Sequence, residues 1–231
     1  MSTLRPELEP LPSRLQTLPL DARGYPVPWF VAWENGRPEF RAMDAQKWSR
    51  AVKEKRCWVC GGFLGRWLTF TIGPMCGINR TTAEPPSHTE CAEWSARNCP
   101  FLSRPHMVRR EDEVINAETA LNLRQAGNPI LRNPGVTLLW TTRTYKVFND
   151  GRGNPLIEVG DPAEVKWYSQ GRPATREEVH HSIVTGLPFL HQEIERERTD
   201  ARRAEARVEL ERRIAFVETL YPPAVAIAVE V

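Results

Sequence analysis

Cys57, Cys60, His88 and Cys91 are the residues of this chain whose types and spacing point most directly to chemistry. Three thiols and an imidazole are soft donors, and structural zinc sites usually join a C-x2-C knuckle to a second ligand pair brought in from a distance. Cys57-Trp58-Val59-Cys60 supplies such a knuckle, and His88 with Cys91 supplies the distant pair. Ser87 and Glu90 have the spacing of a capping box, which predicts a helix with Ser87 at its N-cap. His88 then takes the first helical position and Cys91 falls three residues later, on the same face of the first turn. The helix macrodipole favours a thiolate there. A knuckle, a β-hairpin and a helix that donates two ligands from its first turn together make a treble-clef-like, zinc-binding segment. The 27 residues between Cys60 and His88 leave room for Cys76 to replace one ligand.

Two other readings of the cysteines compete with this one. Free cysteine packs as a small hydrophobe, so Cys57 and Cys60 could be plain core thiols. A redox C-x2-C would open a helix after a strand, whereas this pair follows a predicted helix and precedes Gly61-Gly62, which disfavours it. A closed four-ligand site does not activate water, so the expected zinc is structural and the expected protein non-catalytic. Nucleases built on the same scaffold need a histidine general base on the hairpin. No histidine lies between Cys60 and His88. An enzyme with an unrecognised site stays open as an alternative, although Glu158, Asp161 and Glu164 have the spacing of a solvated strand face and turn.

The elements that must position these ligands follow from patterning. Residues 1–24 are rich in proline and leucine and read as an extended arm. Asn35-Gly36, flanked by aromatic and β-branched runs, predicts a hairpin with strands near 29–33 and 38–43. Asp44 is placed to cap a helix through AQKWSRAVKEK, which delivers the chain to Cys57. GGFLGRWLTFTIGPM reads as a hairpin, or as a strand with a tight turn. Residues 25–111 therefore form a hairpin plus a zinc-binding segment. Residues 112–231 form an α+β segment: a helix near 112–127, a strand pair around the turn NDGRGN, a helix capped by Thr175 and Glu178 and stopped at Gly186, and a long charged helix of roughly 33 residues from Pro188 to Leu220. Part of that last helix is expected to project or to pack on a second subunit. The fold class expected is α+β.

The whole chain carries a formal charge of +2, which supports no global argument for a polyanion partner. Residues 44–110, however, hold eleven Lys and Arg against five acids. Lys47, Arg50, Lys53, Lys55, Arg56 and Arg66 form the expected nucleic-acid-binding set, with Trp48, Trp58 and Trp67 as stacking candidates. The competing reading makes the tryptophans core and the charges solvated. An alternative of another class is a protein-interaction factor, such as an inhibitor of a host enzyme, working through the C-terminal helix or the aromatic hairpins. No apolar run long enough to span a bilayer is present, and the polar N-terminus does not resemble a leader, so a cytoplasmic protein without a membrane partner is expected.

YPVPWFVAWENGRPEF, CWVCGGFLG, IGPMC, EPPSHTECAEW, NCPFL and WYSQGRPATREEVHHSIVTGLPFL, which span most of residues 25–192, resemble a family of uncharacterised proteins of bacteriophages and bacteria. The resemblance implies a phage or prophage setting. It implies no reaction and assigns no catalytic residue.

Overall fold

The structure, a computed structural model, describes residues 2–104 and 133–224. The expected helix at 112–127 lies outside them. β1 (Val31–Glu34) and β2 (Arg37–Met43) form the expected hairpin. Asn35 and Gly36 both adopt positive φ, 48° and 74°, the backbone that lets a two-residue turn follow the twist of the strands. Asp44 then caps α1 (Ala45–Lys53), its carboxylate accepting from the Gln46 and Lys47 amides at 2.9 and 3.1 Å.

Seven further strands build two antiparallel sheets: β3 (Leu68–Ile72), β4 (Thr81–Thr82), β5 (Thr137–Thr142), β6 (Tyr145–Asn149), β7 (Pro155–Val159), β8 (Glu164–Ser169) and β9 (Arg172–Pro173). One sheet runs β3-β5-β8-β9 and the other β4-β7-β6. Both draw strands from either side of residue 111, so the segments before and after it share one core. The expected strand pair is in fact four strands, because Thr142–Tyr145 turns the chain from one sheet into the other. All six residues of β5 are buried, as for a strand covered on both faces.

Helices close the core. α2 (Pro74–Asn79) lies so close to β5 that a methyl group on Gly77 would come within 2.6 Å of Leu138. α3 (Thr89–Asn98) and α4 (Pro100–Ser103) follow, with Pro100 ending the one and opening the other. α5 (Arg176–Glu195) begins with a full capping box: the Glu178 amide donates to Thr175 Oγ1 at 3.2 Å and the Thr175 amide to the Glu178 carboxylate at 2.8 Å. Gly186 does not stop this helix. It sits inside it, where a side chain would collide with Met75 of α2 at 2.8 Å, so its smallness serves packing. Pro188 is also internal, at the cost of one helical hydrogen bond to the carbonyl of exposed Val184.

The single long C-terminal helix expected from the charge pattern is two helices. α5 ends at Glu195, and α6 (Asp200–Glu218) restarts at Thr199, whose hydroxyl accepts from the Arg202 amide at 3.3 Å. The stretch between them has no apolar side chain to hold it on the core, and Thr199-Asp200 is a good helix start. The first half of α6 is largely exposed and its C-terminal half packs on the core. Leu210 and Val217 are buried in the main core, Arg213 donates to the Asn79 carbonyl at 2.7 Å, and Trp167 Nε1 donates to Leu220 at 2.9 Å.

Glu178 makes the cap sensitive to acid. Hydrogen bonds from the Arg172 guanidinium, with help from the Thr175 amide, pull its carboxyl down to about 2, against a partial burial that acts the other way. A carboxyl depressed on folding adds stability above its ordinary value, near 4.5, and loses that contribution as pH falls toward 2. Glu178→Gln is therefore expected to flatten the fall in unfolding free energy over that window, measured by urea titration at several pH values. An unchanged pH slope would refute the assignment.

Candidate metal centre

Arg56 and Phe63 face each other across an isolated antiparallel bridge, and within this loop the Cys57 amide donates to the Gly62 carbonyl at 2.7 Å while the Gly61 amide returns to Cys57 at 2.9 Å. These bonds curl Cys57–Cys60 into a tight knuckle. Gly61 has φ of 75° and lies against the Trp29 ring at a distance no side chain could share. The second ligand pair is held by the sheet. Thr69 of β3 exchanges two backbone hydrogen bonds with Ser87, at 3.0 and 2.8 Å, and its hydroxyl lies 2.8 Å from Thr89 Oγ1 and 2.9 Å from Thr141 Oγ1. This chain of hydroxyls ties the first turn of α3 to β3 and β5.

The expected capping box is absent. His88, not Ser87, is the N-cap residue, and no side chain caps α3. Ser87 is spent on the bridge to Thr69, which leaves its backbone extended and delays the helix by one residue. Of the two forms expected after the knuckle, the strand is present and the hairpin is not: β3 pairs with β5, and α2 and β4 intervene before the chain returns at Ser87.

Despite the shifted start, Cys57, Cys60, His88 and Cys91 come together, with their ligand atoms all within 4.8 Å of one another. His88 Nδ1 lies 3.4 Å from Cys60 Sγ and 3.9 Å from Cys91 Sγ. With metal–sulfur bonds near 2.3 Å and metal–nitrogen bonds near 2.0 Å, a tetrahedral ion would need donor separations of roughly 3.5–3.8 Å. The cluster is thus close to what an ion requires, and these four side chains could hold one. His88 Nε2 donates to the Phe63 carbonyl at 3.0 Å, which turns the lone-pair side of Nδ1 toward the sulfurs. The amides of Cys60 and His88 both point at Cys57 Sγ, each 3.4 Å away. Cys57 and Cys91 are fully buried, while Cys60 and His88 are partly exposed. No protein-family model, curated protein or solved structure matches the chain.

The protonation equilibria of these groups are linked through their contacts. Burial pushes the Cys57 thiol up, yet hydrogen bonds from Cys60, Cys91 and His88 outweigh it and carry the thiol far below its ordinary value. Hydrogen bonding to Cys57 and Cys60, then burial, pushes Cys91 in the opposite direction. The two sulfurs raise the His88 imidazole to about 10. The protonated imidazole thus balances the Cys57 thiolate. A bound cation would take over that role and displace the protons, which makes its affinity fall in acid.

Cys76 is no part of the group. It packs with the main core from α2, and burial raises its thiol to about 11. Cys99 lies at the α3–α4 junction, its thiol also raised by burial.

Beneath the tetrad lies a small core of its own. Leu15 is fully buried against Cys57, Val59, Cys91 and Trp94, with Leu8, Leu11 and Leu18 around it. The arm is clamped to α3 by polar bonds as well: the Glu9 carbonyl accepts from Trp94 Nε1 at 3.2 Å, its amide donates to Asn98 at 2.8 Å, and its carboxylate pairs with Arg97 at 2.8 Å.

The basic set is divided between fixed and solvated residues. Lys47 donates to the Val31 carbonyl at 2.9 Å, Arg50 pairs with Glu54 at 3.1 Å, and Arg56 pairs with Glu54 and donates to the Gly61 carbonyl at 3.0 Å. Lys53, Lys55 and Arg66 are exposed and make no ion pair with a described residue. Of the stacking candidates, Trp58 is 2% exposed and stacked on Phe30 at 5.0 Å, and Trp48 is held by the Ala83 carbonyl at 2.7 Å. Trp67 is exposed.

Among the described residues, no helix is long and apolar enough to cross a membrane.

Proposed function

We propose that the tetrad holds a structural zinc ion in a treble-clef-like setting, and that the protein is a non-catalytic binding protein for nucleic acid or a nucleoprotein complex, at work in a phage or prophage context. The observation that carries the metal reading is the His88 clamp: an imidazole fixed by the Phe63 carbonyl, with its other nitrogen facing three sulfurs. Thiolates select soft ions, and a closed set of three sulfurs and one nitrogen suits zinc. A knuckle, a strand and a helix start that supplies the second ligand pair support the treble-clef comparison, with α2 and β4 as an insertion where that fold has a hairpin turn. The phage context rests on the resemblance of residues 25–192 alone.

The nucleic-acid reading is supported by the basic excess in the sequence of residues 44–110 and by the solvated Lys53, Lys55 and Arg66. Binding of short DNA and RNA oligonucleotides to the metal-loaded protein is expected to weaken steeply with salt, because each neutralised phosphate releases counterions. Lys53→Glu combined with Lys55→Glu is expected to weaken it further at fixed metal content. Absent or salt-insensitive binding would sink the proposal. In the competing reading, a protein-interaction factor, the surface to examine is β6, an edge strand with Val147 and Phe148 exposed, since the C-terminal half of α6 is packed on the protein's own core.

A further inference from the structure

We infer that Phe63 and Trp67, with the arginines around them, form a stacking platform for single-stranded nucleic acid. This rests on the nucleic-acid reading above and says where the bases would lie. Both rings sit between the knuckle and β3, and they are 68% and 43% exposed, although aromatic side chains of this size are usually covered. They line one open groove with Arg14, Arg66 and His88.

Charge singles out the occupant. The Arg56 guanidinium lies 4.3 Å from the centre of the Phe63 ring, and Arg143 and Arg66 lie 4.7 and 5.5 Å from that of Trp67. Arg56 and Arg14 are anchored by Glu54 and Glu90. Arg66 and Arg143, both exposed, form no ion pair with a described residue. An apolar partner pressed onto this face would bury two unpaired guanidinium groups at a large cost. A single strand would give its phosphates to those arginines and its bases to the rings they cover. Exchanging a guanidinium for a base over an exposed ring is favourable, since base stacking is the stronger contact. In a duplex the bases are already stacked and cannot make it.

The platform also explains why a metal centre should stand beside it. The Phe63 carbonyl is the group that receives His88 Nε2, and the Phe63 backbone forms the bridge with Arg56 that closes the knuckle. The bond that orients the ligand also fixes the root of the stacking side chain.

The test uses the full metal-loaded chain and a fluorescent oligothymidylate, with metal content and unfolding midpoint measured for every variant and binding compared at equal metal content. Trp67→Ala and Phe63→Ala are each expected to weaken binding roughly tenfold or more. Arg66→Glu with Arg143→Glu should weaken it and reduce the salt slope by about 1.4, two single-strand phosphates' worth. If both ring substitutions bind as the parent does while Lys53→Glu with Lys55→Glu abolishes binding, the platform is overturned and the nucleic-acid reading survives. Tighter binding of duplex than of single strand would overturn it likewise. No oligonucleotide binding by the parent protein would overturn both.

Discussion

Cys57→Ser is expected to lower bound zinc below about half an equivalent and to unfold the knuckle, the start of α3 and the N-terminal arm together. Apparent binding free energies of structural zinc in small peptides are about 10–16 kcal/mol, of the same size as the whole stability of a typical domain, about 5–15 kcal/mol. Cys57 is the most connected of the four candidate ligands: two backbone amides point at its sulfur, and it is buried in one cluster with Leu15. Its replacement removes a ligand and leaves those amides facing a shorter, harder oxygen. The main core around β5 is a separate cluster and should persist. Hydrogen exchange should therefore show protection lost over residues 8–18, 57–64 and 88–94 and kept in β5 and β8. Cys76→Ser is the control, expected to keep its metal. If Cys76→Ser loses the ion and Cys57→Ser retains it, the tetrad is wrong.

Trp140→Ala should cost about 3–5 kcal/mol, the range for emptying a large aromatic site in a close-packed interior. Trp140 is fully buried in the middle of β5, its Nε1 donates to the Gly160 carbonyl at 2.9 Å, and Arg80 covers its ring at 4.7 Å. The substitution leaves a cavity and an acceptor without its donor, and Gly77 on the opposite helix brings no side chain to fill the space. A urea midpoint shift corresponding to less than about 2 kcal/mol would mean that the sheet and α2 collapse onto the gap more readily than their packing implies.

The four side chains that the structure brings together stood out in the sequence because soft donors at knuckle spacing are rare by chance, and the local signals at Asn35-Gly36, Asp44 and Thr175 are complete within a few residues. The Ser87 capping pattern was misleading for a tertiary reason: Ser87 forms a two-bond bridge with Thr69, and that contact outweighs a local side-chain cap. The long-helix pattern failed at Arg196–Thr199 because charge alone cannot hold a helix across a stretch with nothing to pack on. The role of the arm was hidden in another way. Leu8, Leu11, Leu15 and Leu18 recur every three or four residues, but the prolines among them forbid a continuous helix, so a buried face is carried by extended chain and one short 3-10 turn, Ser13–Leu15. The hydroxyl chain of Thr69, Thr89 and Thr141 left no sequence signal, since it joins residues up to 72 positions apart.

That leucine cover bears on how fast an ion could leave. Cys57 and Cys91 are fully buried in one cluster with Leu15, so a chelator could reach these two inner sulfurs, and any ion they hold, only after the arm or the knuckle opens. The release rate should then level off at high chelator concentration, at a value set by the opening step, and it should rise when Leu15 is shortened. For any ion the tetrad holds, the first two dozen residues of the chain would act as a latch whose lifetime sets the residence time.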